Sequence, residues 1–382
     1  MTDPVLRPGS TVGIVGGGQL GRMSAVAAAR LGFHAHILTP QADCPAAEVA
    51  HSLTVGAYDD DEALRRFADC VDVITFEFEN VSAAGLKTLE SLKPVRPSGS
   101  ILAVSQDRIA EKSRLDAMGV AIAPWRNVAS PADLAMALEA LDYRCILKTT
   151  RFGYDGKGQF RVSAREDAAA LEADLPYPMV AEGIVDFERE VSVMIARGVH
   201  GDVQCFDVTE NQHRDGILDI SLAPAHIMPE LADHARQLAV SIAEGLDMVG
   251  LMGVEMFVAA DGRLLVNEIA PRPHNSGHWT MNACLVDQFE MHIRAVVGLP
   301  LLPPIRHSDA VMKNLIGPQD MALCDTILKT PGQALHLYGK ADARPGRKMG
   351  HVNMIFPKGA LPGPFGLADA LGVLAPASLS SK

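Results

Sequence analysis

An Asp-Gly pair, Asp261-Gly262, divides two runs of strand composition that extend from Gly253 to Glu268. Such a pair between two such runs is a strong short-range hairpin signal. Once a turn is set, register follows, and register decides which side chains share a face. A two-residue turn at Asp261-Gly262 pairs Glu255 with Glu268. Facing residues have Cβ atoms about 5 Å apart, and like charges at that spacing repel. A divalent cation between the carboxylates removes the repulsion. Hard oxygen ligands completed by nucleotide phosphates describe a Mg2+ site, and Asn267 offers a neighbouring oxygen. The plainer alternative is a pair of exposed glutamates on a wet sheet face, which the apolar flanks disfavour.

A second constraint lies upstream, where Lys148 to Gln159 reads K-T-T-R-F-G-Y-D-G-K-G-Q. Arg144 to Lys148 has the composition of a buried strand ending in a lysine. Gly153, Gly156 and Gly158 follow, with Asp155 and Lys157 between them. Glycines let backbone amides crowd around an anion, and lysine adds a point charge suited to phosphate. A surface hairpin with turn glycines is the competing reading.

The N-terminal segment predicts a parallel, wound sheet. Thr11 to Val15, His34 to Leu38 and Val71 to Phe78 read as strands, alternating with helices that end near Leu31 and span Glu62 to Cys70. Gly16, Gly18 and Gly21 match the G-x-G-x-x-G dinucleotide fingerprint. That fingerprint also requires an acid closing the second strand, and this strand ends Ile37-Leu38-Thr39-Pro40, with Asp43 beyond the proline. A bound dinucleotide is therefore disfavoured. The weaker expectation is that helix N-terminal amides here hold a phosphate, with Gln19 beside it.

Further along, Gln106 to Met118, Pro131 to Leu141, Arg165 to Leu175 and Pro229 to Leu246 read as helices. At 382 residues the chain exceeds one typical domain. The expected division is an α/β unit over 1–105, a small unit over 106–205, a larger α+β unit over 206–300 and a β-rich unit over 301–382. The net charge of −12 comes without any long basic run, which argues against nucleic acid or an acidic membrane as main partner. No apolar run reaches about 18 residues, so no membrane span is expected. The scattered cysteines and the absence of an export-type N-terminal core point to the cytoplasm.

Pro271 to Thr280, P-R-P-H-N-S-G-H-W-T, follows the hairpin and concentrates Arg272, His274, Asn275 and His278. A loop of this kind at a strand end suits an anion or substrate. A polar connection with incidental histidines is the alternative, and His278 is as readily structural.

Taken together, these residues resemble the ATP-grasp enzymes. Within them the chain is most similar to the N-carboxyaminoimidazole ribonucleotide synthetases. The resemblance rests on G-G-G-Q-L-G-R-M at 16–23, F-E-F-E-N-V at 76–81 and F-G-Y-D-G-K-G-Q at 152–159. It continues through H-R-D-G-I-L at 213–218, A-P-R-P-H-N-S-G-H-W-T at 270–280 and G-R-K-M-G-H at 346–351. It implies an N-terminal wound domain, a central ATP-grasp lid and body, and a small C-terminal β-rich domain. It also implies an ATP- and Mg2+-dependent ligase that carboxylates aminoimidazole ribonucleotide with bicarbonate through carboxyphosphate, and a homodimer. The rivals are another ATP-grasp carboxylate–amine ligase, a dinucleotide oxidoreductase and a non-catalytic nucleotide sensor.

Roles carried by the resemblance fall on matching positions. Arg108 and Lys148 would contact ATP phosphates beneath Gly153, Tyr154, Asp155, Gly156, Lys157, Gly158 and Gln159. Glu182, Gly183, Ile184 and Val185 would form an adenine hinge, Glu190 would hold the ribose, and His213 would lie near the nucleotide. Glu255 and Glu268 would bind Mg2+, with Asn267 alongside. Arg272, His274 and Asn275 would line the bicarbonate pocket, with Asp155 accepting the amine proton or merely capping its loop. Gln19, Leu20, Glu77, Tyr154, Lys340 and Arg347 would bind the ribonucleotide. The middle unit with its glycine loop is expected to act as a lid.

Overall fold

The computed structural model describes residues 5–151, 153, 158–169, 171, 175–363 and 372. The first sheet is wholly parallel, in the order β3-β2-β1-β4. Its strands are β1 (Thr11–Val15), β2 (His34–Thr39), β3 (Ser52–Val55) and β4 (Val73–Phe76). β1, β2 and β4 were legible as short apolar runs; β3 was not, because its S-L-T-V is brief and only half-buried.

A small antiparallel sheet follows, with order β5-β8-β6-β7. It is built from β5 (Trp125–Val128), β6 (Cys145–Thr149), β7 (Gln159–Val162) and β8 (Met179–Gly183). It closes on its own core of Val128, Leu138, Leu147, Val162, Met179 and Ala181. A sheet with a private core can move as a body.

The described strands after it join one nine-stranded antiparallel sheet, β14-β13-β9-β11-β12-β15-β17-β16, with β10 on β9. The strands are β9 (Phe187–Arg197), β10 (Val203–Cys205), β11 (Thr209–Arg214), β12 (Ile217–Ala223), β13 (Gly250–Ala259) and β14 (Leu264–Ala270). β15 (Ser308–Ile316), β16 (Gln333–Leu337) and β17 (Lys348–Pro357) complete it. Two departures from the sequence expectation follow. β9 and β10, assigned above to a middle unit reaching residue 205, hydrogen-bond into the large sheet, because β9 spends its whole length against β13. The C-terminal strands form no separate sheet, since β15 pairs with β12 directly.

The N-terminal unit is held to this body by apolar and polar contacts together. Helix Gln19–Arg30 packs through Met23 and Ala27 into a core shared with Phe289, Ile293 and Val296 of helix Gln288–Val297. Arg96 donates to the Val296 carbonyl at 2.7 Å, and Arg30 bridges Asp287 and Glu290 at 2.9 and 3.2 Å. No helix among the described residues is long and apolar enough to cross a membrane.

Candidate active site

The Glu255–Glu268 pairing is present, but the turn differs from the expected two-residue form. Ala259 and Arg263 close a three-residue loop, Ala260-Asp261-Gly262, through Ala259 N–H to Arg263 O at 2.9 Å, with Gly262 N–H donating to Ala259 O at 2.8 Å. Gly262 takes φ +82°, the left-handed position such loops assign to glycine. This displaces the ladder by one, so Met256 faces Val266. A bulge at Asn267 then restores the lost residue, and Glu255 faces Glu268. Turn and bulge offset each other; without the bulge one carboxylate would point to the opposite face.

Burial is the first cause that pushes the Glu255 carboxyl up, to about 8, and Glu268 is the second. The oxygens of Glu255 and Glu268 and one ring nitrogen of His274 lie within 4.8 Å of one another. His274 Nε2 is 3.4 Å from Glu255 Oε1. Two oxygen donors whose charges repel, Glu255 nearly buried and Glu268 half-exposed, make a fit for a hard divalent cation.

On the neighbouring strands, His213 Nδ1 contacts Glu190 Oε2 at 2.8 Å. Burial lowers the His213 ring, but the Glu190 hydrogen bond and charge outweigh it and raise it overall. Arg108, at the start of helix Arg108–Ala117, links the two sheets: it donates to Gly153 O at 3.0 Å and lies 3.9 Å from Glu268. Lys148 donates to Glu182 Oε2 at 2.9 Å. Lys112, absent from the sequence reading, is fully buried, 3.6 Å from the same oxygen, and donates to the bulge carbonyl of Asn267 at 2.7 Å. Burial works against the Glu182 charge, yet Lys148 and Lys112 hold it below the usual carboxylate range. Glu111 accepts from Ile269 N–H at 2.8 Å, and burial takes it to about 7. Gly183, Ile184 and Val185 follow at the end of β8, half-buried, with the Ile184 amide donating to Arg144 O at 3.0 Å. Gln159 begins β7, directly after the turn residue Gly158. Tyr154, Asp155, Gly156 and Lys157 lie outside the described residues.

Arg272 pairs with Glu79 at 2.6 Å. In the same loop, both side-chain polar atoms of Asn275 are buried without a partner among the described residues. His278 is buried against His351, ring centroids 4.7 Å apart, and accepts from Gln288, the structural role its sequence context left open.

The N-terminal glycine turn corrects an expectation. Its amides do not await a phosphate: Gly18 N–H donates to Glu77 Oε1 at 2.8 Å and Gly21 N–H to Oε2 at 3.3 Å. A Cβ on Gly16, which sits at φ +119°, would come within 2.4 Å of Glu77 Cγ. The chain's own carboxylate thus occupies the turn, which excludes the pyrophosphate of a dinucleotide bound in the usual way. Burial raises the Glu77 carboxyl, against the Gly18 and Gly21 amides and the charges of Arg272 and Lys340. Gln19 is half-exposed next to it and Leu20 is buried.

Lys340 donates to Lys348 O at 2.7 Å. Arg347 is turned to the Asp342 carbonyl at 2.8 Å, within its own loop. Lys348, one residue on and not singled out by the sequence, is the residue whose charge reaches Glu255, His274 and His278. Its position in G-R-K-M-G-H was the signal available; Lys348 opens β17 while Arg347 stays in the loop before it.

A glycine loop on a small antiparallel sheet, joined through Arg108 to a carboxylate pair on a large one, defines an ATP-grasp enzyme. Family models agree. An ATP-grasp domain matches residues 113–289, a ribonucleotide synthetase preATP-grasp domain residues 10–106, and a phosphoribosylaminoimidazole carboxylase C-terminal domain residues 310–360. The N5-carboxyaminoimidazole ribonucleotide synthase of Brucella melitensis is 52% identical over 94% of this chain and 99% of its own length. That of Bacillus subtilis is 38% identical over 93% and 94%. A solved ADP complex of N5-carboxyaminoimidazole ribonucleotide synthetase superposes with TM-score 0.92 at 39% identity, covering 97% of this chain and 98% of that one. The Aspergillus clavatus enzyme, solved with ADP and 5-aminoimidazole ribonucleotide, gives 0.88 at 31% identity, covering 96% and 98%. The chain belongs to the N5-carboxyaminoimidazole ribonucleotide synthase family, and with it to the ATP-dependent ligases.

Proposed function

We propose that this protein carboxylates the exocyclic amine of aminoimidazole ribonucleotide with bicarbonate at the expense of ATP, a step of purine biosynthesis. The observation that carries the reading is the Asn275 amide, its polar atoms buried and unpartnered among the described residues, one residue on from His274, whose ring nitrogen lies within 4.8 Å of the Glu255 and Glu268 oxygens. Buried polar groups without partners mark a place built for a polar ligand. A planar anion such as bicarbonate fits the donors there, with arginine suited to bidentate contact.

In this reading a bicarbonate oxygen attacks the γ-phosphorus of ATP and ADP departs. The amine nitrogen then attacks the carbon of carboxyphosphate, or of carbon dioxide released from it. Phosphate leaves and the amine gives up a proton, for which Asp155 is the proposed acceptor. Lys148 and Arg108 hold the ATP phosphates under the loop 153–159, Glu182 to Val185 receive the adenine, and Glu190 and His213 sit at the ribose. Mg2+ held by Glu255 and Glu268, with Asn267 alongside, would neutralise charge on the transferring phosphoryl group. Gln19, Leu20, Glu77, Tyr154, Lys340 and Arg347 are proposed to hold the ribonucleotide. The small sheet, with its separate core, is proposed to close as a lid, because carboxyphosphate must be kept from water. A homodimer, implied by resemblance alone, completes the reading and is checked by light scattering; the proposed cytoplasmic location rests on the scattered cysteines and the N-terminal composition.

The test is ADP release measured with ATP, Mg2+ and bicarbonate, with and without aminoimidazole ribonucleotide. Stimulation by the ribonucleotide is expected. Its absence, with turnover stimulated by another amine or carboxylate acceptor, would move the chain to a different ATP-grasp ligase.

A further inference from the structure

A buried chain of hydrogen bonds runs from the middle of the large sheet to His274. Ser221 on β12 donates to Asn211 Oδ1 at 2.8 Å; Asn211 Nδ2 on β11 donates to Ser192 Oγ at 2.9 Å. Ser192 on β9 donates to Ser276 Oγ at 2.8 Å, and Ser276 Oγ lies 2.9 Å from His274 Nδ1. Ser221, Ser192 and Ser276 are 0% exposed and Asn211 is 5% exposed, so bulk water does not compete for these bonds.

The direction of the chain can be worked out. Each serine hydroxyl has one proton. Ser192 accepts from the Asn211 amide, so its own proton goes to Ser276. Ser276 then has its proton left for His274 Nδ1, which must accept. A second donor agrees independently: the Ser276 backbone N–H, which can only donate, also points at Nδ1, at 3.4 Å. If the Asn211 amide were turned over, every bond would reverse and Nδ1 would need a proton, in conflict with that backbone donor. The backbone of His274 is itself clamped, its N–H donating to Gln288 Oε1 at 3.0 Å and its carbonyl accepting from Gln288 Nε2 at 2.8 Å.

We propose that Ser276, Ser192, Asn211 and Ser221 are positioning residues that lock His274 as the neutral imidazole protonated at Nε2. That nitrogen faces Glu255 at 3.4 Å. An Nε2–H cannot ligate a cation, so His274 is a hydrogen-bond donor beside a two-carboxylate site rather than its third ligand. Resting on the function proposed above, the same N–H is the donor offered to a bicarbonate or carboxyphosphate oxygen. The ring nitrogen a partner occupies sets what the other can do.

The experiment uses the full chain labelled with 15N-histidine, with the His274 signals assigned by loss in His274→Gln. Two-bond nitrogen–proton correlation should show a pyridine-like Nδ1 and a pyrrole-like Nε2 at His274. A protonated Nδ1 in the wild-type protein overturns the lock, and this measurement needs no variant to fold other than the assignment control. Ser192→Ala should give mixed tautomers and raise the bicarbonate KM roughly tenfold with the ATP KM unchanged, and Ser192→Thr should restore both. If the wild-type tautomer is as stated and Ser192→Ala mixes it while bicarbonate KM stays put, the lock stands and the bicarbonate role of His274 is what fails. A purely structural Ser192 would instead shift ATP and bicarbonate KM together and leave the tautomer alone.

Discussion

Glu255→Gln should make the metal-free protein more stable while removing its Mg2+-dependent turnover. In the folded chain the Glu255 carboxyl is displaced upward to about 8 by burial and by Glu268. The unfolded chain ionises it near 4.5, the ordinary value. A group whose folded value is raised contributes its full stability below the unfolded value and loses it as pH rises toward the folded one. Displacement costs about 1.4 kcal/mol per pH unit, so by pH 7 the carboxylate at this site costs roughly 3 kcal/mol. Gln keeps the shape and removes the charge. In EDTA, urea denaturation should place Glu255→Gln about 2–3 kcal/mol above the wild type at pH 7, with the gap closing toward pH 5. Adding Mg2+ with nucleotide should stabilise the wild type and not the variant. A variant less stable than wild type at pH 7, or a gap that does not change with pH, would refute the reasoning.

Three further outcomes are expected. Lys148→Met should weaken ADP binding by roughly 10- to 100-fold, the worth of about 1.5–3 kcal/mol for a charged hydrogen bond; calorimetric titration checks it, and Lys112 remains to hold Glu182 so the fold should persist. Glu77→Ala strips the Gly18 and Gly21 amides of their acceptor and should lower stability by about 1–3 kcal/mol, without creating NAD binding in a thermal-shift assay. His292 is buried, its Nε2 facing Thr75 Oγ1 at 3.0 Å and its Nδ1 without a partner among the described residues. Burial lowers it to about 3, so below the unfolded value near 6.5 only the unfolded chain takes the proton. His292→Leu should therefore gain on the wild type by about 1.4 kcal/mol per pH unit as pH falls below that value; parallel denaturation curves at pH 7 and 5 would contradict this.

The small sheet's separate core bears on how such an enzyme works. Its apolar core is its own, and among the described residues its polar ties outward include Lys112 to Glu182, Arg108 to the Gly153 carbonyl and Arg151 to Gln106. The Lys112 and Arg108 ties fall at the proposed nucleotide site, so nucleotide binding and movement of the small sheet would involve the same bonds.

By itself the sequence determined the element types, because local signals were strong. Short runs of strand composition announced β1, β6 and β13, Pro131 and Pro229 opened helices where a missing N–H costs nothing, and Asp261-Gly262 announced a hairpin. It also placed Glu255 opposite Glu268, though by a turn length that the Asn267 bulge had to compensate. Local composition holds no record of partners distant along the chain, and those decided the rest. Only the tertiary structure put Glu77 into the glycine turn 56 residues away from Gly21, carried β9 and the C-terminal strands into one sheet, and buried Lys112 between Glu182 and Asn267. Buried charges and amides must find partners wherever folding brings them, so the choice among candidates such as Arg347 and Lys348 falls to packing rather than to spacing.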